Sequence, residues 1–197
     1  MPAAITNNPD ESGYALFETP IGLCAIVWRG GKVAGVGLPE STPERLQARL
    51  AARFPGAVES KPPPAVGEAM RRVVGLLSGE RDDLADIEVD LGGSSAFERE
   101  VYAAARRVPC GETRRYGDIA LELGAPGAAQ AVGLALGRNP VPIIIPCHRV
   151  LAAEGRSGGF SAPGGVATKF KILAIEGARR SGPPELFESL PLAVKPA

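Results

Sequence analysis

Cys147, His148 and Arg149 stand in immediate succession at the end of an apolar run, Pro140-Val141-Pro142-Ile143-Ile144-Ile145-Pro146. A cysteine attacks as its thiolate, so a nucleophilic cysteine needs a nearby base or positive charge to draw off its proton. His148 could supply the first and Arg149 the second. His148 is the only histidine of the chain, and an imidazole serves as a base when a third group fixes its tautomer and orientation. Glu176, late in the last helix that the sequence predicts, is the candidate for that group; the competing reading is a surface charge at a helix C-terminus. Burial behind three isoleucines raises a thiol's pKa, which makes an activating partner more necessary. Cys147 could instead be an inert packed cysteine, but a solitary histidine and an arginine beside it are poor choices for filling a core.

The elements that must hold these residues fall into two parts, and the expected fold class is α+β. From Tyr14 to Pro39 apolar residues alternate, broken at Thr19-Pro20-Ile21-Gly22 and at Gly30-Gly31, which predicts three short strands in an antiparallel sheet. Thr42 is the expected N-cap of a helix opened by Pro43. A second helix is expected over Val66 to Leu77, and Asp86 to Leu91 alternates again and can return to the sheet. These elements make a small α/β N-terminal domain, residues 14–92. Residues 93–180 make a mainly helical second domain: Ser95 caps a helix over Ala96 to Arg107, short helices cover Tyr116 to Leu123 and Ala128 to Leu136, and a last one covers Val166 to Glu176. The two short helices flank Gly124-Ala125-Pro126-Gly127, which predicts a helix-turn-helix, winged-helix-like, in the domain that carries Cys147. The second short helix has so little side-chain bulk that it could approach DNA closely; its competing reading is tight helix packing. Residues 1–13 are expected to be a disordered N-terminus and 181–197, with four prolines, a proline-rich tail.

Composition narrows the function classes. The 197 residues are 45% hydrophobic, ordinary for a chain that buries a core. The N-terminal MPAAITNNPDESG has neither a basic n-region nor an apolar h-region, and no stretch approaches the roughly 20 apolar residues of a membrane helix, so a cytoplasmic location without membrane contact is expected. Three cysteines without a close pair argue against a disulfide framework, and a single histidine without a CxxC motif argues against a metal site. Net charge is zero, yet residues 1–94 hold nine Lys/Arg against thirteen Asp/Glu and residues 95–197 hold thirteen against nine. An arginine-biased second half points to a polyanion partner, with a solvated face as the competing reading.

The chemistry-bearing residues resemble the active-site signature of the O6-alkylguanine-DNA alkyltransferases. The likeness rests on Asn139-Pro140-Val141-Pro142 followed by Ile145-Pro146-Cys147-His148-Arg149-Val150, on PCGETRRYGDIA from Pro109 to Ala120, and on Lys169 with IEGA from Ile175 to Ala178. With the Thr19–Gly22 turn it spans roughly residues 14 to 178. It implies a protein that enters the minor groove, flips the alkylated guanine out of the stack and accepts the alkyl group on Cys147. The thioether would persist, so the protein would be consumed in one turnover and need no cofactor. The resemblance makes His148 the base through a bridging water, oriented by Glu176, and Asn139 the hinge between recognition helix and active-site segment. Tyr116 would donate its hydroxyl to the leaving base, where charge develops in the transition state. Val150, Phe160, Ser161 and Arg149 would recognise the flipped base, while Ala128, Ala129, Gln130, Ala131, Gly133, Thr113, Gly117 and Arg138 would meet the DNA. The implied partner is double-stranded DNA containing O6-alkylguanine, with O4-alkylthymine a further substrate, and the expected state is a monomer.

Four features depart from the family pattern. Gln130 stands where the family has an arginine that fills the space left by the flipped base; it keeps hydrogen bonding but lacks the charge and the rigid donor fork. Weaker DNA affinity or slower flipping is expected. Phe160 replaces a common tyrosine, Ala162-Pro163 looks like an insertion in the same loop, and Cys110 stands where an aromatic residue is common. The alternative function is a lesion-binding protein of the same fold with weak or no transfer, which Gln130 favours and Cys147 opposes. A helix-turn-helix transcription factor would need side chains for major-groove readout, which the small-residue helix lacks. A cysteine protease would need a histidine distant from its cysteine in sequence, and none exists.

Overall fold

The computed structural model describes residues 12–152 and 164–178. The two turns expected from sequence join β1 (Ser12–Thr19), β2 (Gly22–Arg29) and β3 (Lys32–Gly37), paired antiparallel. At the first turn the Thr19 hydroxyl donates to the Gly22 carbonyl at 2.7 Å, and Gly22 takes a φ of 123° that a side chain would resist. The sheet is not the three-stranded antiparallel one expected. A fourth strand, β4 (Val58–Glu59), pairs parallel to β1, giving a mixed sheet in the order β3-β2-β1-β4. Two residues are too few to leave an alternation signal. The Asp86–Leu91 stretch meets β3 at a single parallel bridge, Val33 with Val89, closed by Val33 N–H to the Glu88 carbonyl at 3.0 Å and Asp90 N–H to the Val33 carbonyl at 2.8 Å.

Alternation along β2 sorts its side chains onto two faces. Ala25 and Val27 pack with Leu46 and Leu50 of α1 (Pro43–Arg53), whose N-terminus is capped by Thr42. Cys24, Ile26 and Trp28 face the main core, where α2 (Pro64–Leu77) contributes Val66, Ala69, Val73, Leu76 and Leu77. That core continues into α3 (Ala96–Arg106), α4 (Tyr116–Glu122) and α5 (Ala129–Gly137). Ser95 and Glu98 close a reciprocal capping box on α3, the two bonds being 2.8 and 3.2 Å, which explains why this helix starts where the sequence places it. The Tyr102 hydroxyl donates to the Ala135 carbonyl at 3.0 Å and locks α3 against α5. After α5 the chain makes one 3-10 turn, Cys147–Arg149, then β6 (Val150–Leu151), which pairs parallel with β5 (Arg114–Arg115). Last is α6 (Gly165–Ile175). No helix among the described residues is long and apolar enough to cross a membrane.

Candidate active site

Asn139 follows the C-cap of α5 and stitches the next segment together. Its Nδ2 donates to the Ile145 carbonyl and its Oδ1 accepts from Val141 N–H, both at 2.9 Å, while Ile145 N–H reaches the Val141 carbonyl at 2.9 Å. Within this loop Ile143 has a φ of 75°, a left-handed conformation that costs a β-branched residue on the order of 1–3 kcal/mol. The Asn139 bonds on either side hold it there. Cys147 N–H then donates to the Ile145 carbonyl at 2.8 Å, and the residue is buried, 6% exposed. Burial pushes the thiol pKa up; Asn139 and the Lys169 ammonium oppose that push.

In a 3-10 turn successive side chains point about 120° apart, so Cys147, His148 and Arg149 radiate in different directions. His148 Nε2 lies 2.9 Å from Glu176 Oε1 in a fully buried contact. Burial, helped by Arg149 and Lys169, pushes the imidazole below its ordinary pKa of 6.5 although Glu176 pulls upward. A neutral ring that donates from Nε2 to a carboxylate leaves Nδ1 as an acceptor, and Nδ1 is buried without a hydrogen-bond partner among the described residues. Arg149 is not turned toward the thiol. Its guanidinium is fully buried, donating to Glu176 at 2.9 to 3.3 Å and to the Val108 carbonyl at 2.8 Å, with Asp83 at 3.6 Å. His148 and Arg149 hold the Glu176 carboxyl down to about 2, against the upward push of its own burial.

Glu176 is placed by the way α6 ends. It is the C-cap; Gly177, at a φ of 63°, donates to the Ala174 carbonyl at 3.1 Å, and Ala178 to the Leu173 carbonyl at 2.9 Å. This paired closure explains the glycine of the IEGA motif. The glycine of GET has a steric reason: Gly111 takes a φ of 84°, and a Cβ there would lie 3.2 Å from the Glu176 carbonyl.

Pairing of β5 with β6 sets Tyr116, first residue of α4, beside the Cys147 segment. Burial and proximity to Cys147 push its phenol up to about 12. Lys169 of α6, fully buried, donates from Nζ to the Val150 carbonyl at 2.6 Å and to the Tyr116 hydroxyl oxygen at 3.5 Å. Desolvation lowers its pKa to about 8. The resemblance includes Lys169 and implies no role for it. The signal was its spacing: Lys169 falls three and four residues before Ile172 and Leu173, on the buried face of α6.

On α5, Val132, Ala135 and Leu136 face the core. Gln130, Ala131, Leu134 and Arg138 are exposed, and Ala128, Ala129 and Gly133 lie half-buried. Gly117 is exposed on the first turn of α4, and Thr113 is half-buried ahead of β5. Val150 is buried, its carbonyl taken by Lys169. Phe160 and Ser161 lie outside the described residues, as does the Ala162-Pro163 insertion. Among the described residues, several arginines behind the charge bias serve the fold. Arg106 donates to the carbonyls of Leu84, Ala85 and Ile87, and Arg107 and Arg114 both pair with Glu122.

A family model described as the DNA-binding domain of 6-O-methylguanine DNA methyltransferase matches residues 96–178. The methylated-DNA–protein-cysteine methyltransferase of Mycolicibacterium paratuberculosis is 39% identical over 173 residues, 88% of this chain and 96% of that relative. The chain belongs to the methylated-DNA–protein-cysteine methyltransferase family. A second methylated-DNA–protein-cysteine methyltransferase, from Mycobacterium tuberculosis, is 36% identical over 176 residues, 89% of this chain and 98% of the relative. The crystal structure of the Mycobacterium tuberculosis O6-methylguanine methyltransferase superposes with a TM-score of 0.69 at 35% identity, covering 90% of this chain and 98% of the other. A crystal structure of Mycobacterium tuberculosis OGT in complex with DNA gives 0.66 at 33% identity, covering 84% and 92%.

The buried cluster of this methyltransferase-family chain makes its stability depend on pH in a definite direction. Between the depressed folded pKa of His148 and its ordinary 6.5, the unfolded chain binds a proton that the folded chain refuses, so stability falls as pH drops through that range. Glu176, held to about 2 against an ordinary 4.5, contributes stability that is fully present above 4.5 and is lost as pH falls toward 2. Urea midpoints should therefore fall in two stages below about pH 7, and His148→Asn should remove the earlier stage and weaken the later one, since His148 is one of the two groups that hold Glu176 down. Identical profiles for the two proteins would refute the assignment.

Proposed function

We propose that Cys147 accepts an alkyl group from O6 of guanine in double-stranded DNA, in a single turnover that repairs the base and consumes the protein. Support comes foremost from the buried chain Cys147–Asn139 and His148–Glu176–Arg149, which gives a thiol a neutral base with an oriented ring. His148 Nδ1 takes the thiol proton through a bridging water. The Cys147 sulfur bonds to the alkyl carbon as the carbon–O6 bond breaks, and the electron pair leaves on the guanine, where the Tyr116 hydroxyl donates to the developing charge. Asn139 acts as hinge, and the Val150 segment with Phe160 and Ser161 forms the base pocket. Helices α4 and α5 are read as a helix-turn-helix whose face Ala128, Ala129, Gln130, Ala131 and Gly133 enters the minor groove, flanked by Thr113, Gly117 and Arg138. The protein acts as a monomer in the cytoplasm, where free thiols such as Cys24, Cys110 and Cys147 stay reduced. Mass spectrometry after incubation with duplex DNA containing O6-methylguanine should find a methyl increment on Cys147. No increment, or the same one in Cys147→Ala, would refute the reading.

The exposed Gln130 sustains a second reading, lesion binding with weak transfer. A charged donor fork is worth about 1 kcal/mol more than a neutral hydrogen bond. Gln130→Arg should therefore tighten binding to DNA by about fivefold, read by fluorescence anisotropy. Unchanged affinity would mean that Gln130 does not limit base flipping.

A further inference from the structure

Arg53, the last residue of α1, has an unusual environment for a cation. No carboxylate pairs with it among the described residues; its Nη2 donates to the Arg138 carbonyl at 2.9 Å, and its guanidinium lies 5.9 Å from the Phe54 ring centroid. Arg53 is exposed, and desolvation together with the nearby Arg49 pushes its pKa below the usual arginine value, so an added anion would meet a cation that has a like charge, and no carboxylate, beside it.

Around this guanidinium is a cleft of about 300 Å³, lined among others by Arg29, Arg53, Ser94, Glu98, Tyr102 and Arg138. It holds three arginines against two carboxylates. Arg29 pairs with Asp90 at 3.1 Å and Arg138 with Glu98 at 3.5 Å, and both arginines remain largely exposed. The cleft also lies at the end of a stripe. Gln130, Leu134 and Arg138 follow one another at four-residue spacing on the exposed side of α5. Eight residues at ~1.5 Å each carry that stripe roughly 12 Å, the length of about three to four nucleotides at ~3.4 Å.

The geometry points to a phosphate site: the cleft between the ends of α1 and α5 binds a backbone phosphate of the DNA, three to four nucleotides from the flipped base, with Arg53 and Arg138 as its cationic donors. This rests on the reading of α5 as the DNA-contacting helix and adds a contact from the N-terminal half of the chain. A duplex laid along α5 from Gln130 meets Arg138 and then Arg53. The phosphate is taken by one guanidinium fixed on a carbonyl and a second at 74% side-chain exposure, an arrangement suited to forked donation onto two oxygens. Charge missing at Gln130 is thereby partly restored at the far end of the same helix.

The test is the salt dependence of binding to unmodified duplex DNA. Each phosphate contact contributes about 0.9 to the slope of log affinity against log salt. Arg53→Gln should lower the slope by about 0.9, so that the affinity lost between about 50 and about 200 mM salt shrinks by roughly threefold. Arg53→Lys, which keeps the charge but not the guanidinium bond to the Arg138 carbonyl, should keep the slope. Arg71→Gln, the same charge change on α2 away from the cleft, should keep it as well. An unchanged slope in Arg53→Gln overturns the site, as does an equal fall in Arg53→Lys or Arg71→Gln, which would assign the effect to the Arg138 contact or to net charge. A parent protein that binds duplex DNA with no salt slope overturns the DNA reading of α5, and this site with it.

Discussion

Glu176→Gln should destabilise the protein by about 3–5 kcal/mol, more than any surface substitution. The carboxylate is the shared acceptor of two buried groups, His148 at 2.9 Å and the Arg149 guanidinium at 2.9 to 3.3 Å. Glutamine keeps the size and removes the charge. It leaves Arg149, fully buried, with neutral acceptors and no negative charge nearer than the half-exposed Asp83 at 3.6 Å. An uncompensated buried cation is what makes breaking such a pair so costly, whereas replacing both partners by apolar groups can be neutral. Glu176→Gln combined with Arg149→Met should therefore recover much of the urea midpoint. It should not recover alkyl transfer, because His148 still lacks the negative charge that stabilises its protonated ring as it takes up the thiol proton. A double variant as unstable as Glu176→Gln would show that packing, not the pair, carries the loss.

How much of this was legible in the sequence follows from the kind of signal each feature leaves. The Thr19–Gly22 and Gly30-Gly31 turns and the Ser95 cap act on their own neighbours, so a local reading finds them. Residue types and spacing make Glu176 only a candidate partner for the single histidine; it is the family resemblance, through IEGA, that implies the pair His148–Glu176 seen in the structure. β4 could not be found, since two residues pairing with β1 across 45 positions of sequence leave no period. Adjacency misled at Arg149: a neighbour in sequence was read as a neighbour of the thiol, and the turn geometry sends it to Glu176. Charge counting pointed to a polyanion without saying which arginines are available to it. Arg106, Arg107, Arg114 and Arg149 hold carbonyls and carboxylates of the fold, which leaves Arg138 as the exposed cation of the α5 stripe.

Tyr116→Phe should slow transfer to Cys147 about a hundredfold, the usual loss when a transition-state donor is removed. The direction of the hydrogen bonds carries this expectation. Lys169 Nζ can only donate, so at 3.5 Å from the phenol it occupies an oxygen lone pair of Tyr116 and leaves the hydroxyl proton free for a base in the pocket. A phenol pushed up to about 12 keeps that proton at neutral pH, as a donor to a leaving group must. The loss should appear in the single-turnover rate and hardly in DNA affinity, because charge on the guanine develops only as the carbon–O6 bond breaks. Lys169→Met should slow the same step by aligning the phenol less well. The double variant should be little slower than Tyr116→Phe alone, since both substitutions act through one donated proton. Fully multiplicative losses would place Lys169 on the thiolate instead, the other charge it faces, and would separate leaving-group assistance from nucleophile activation as two independent tasks of the site.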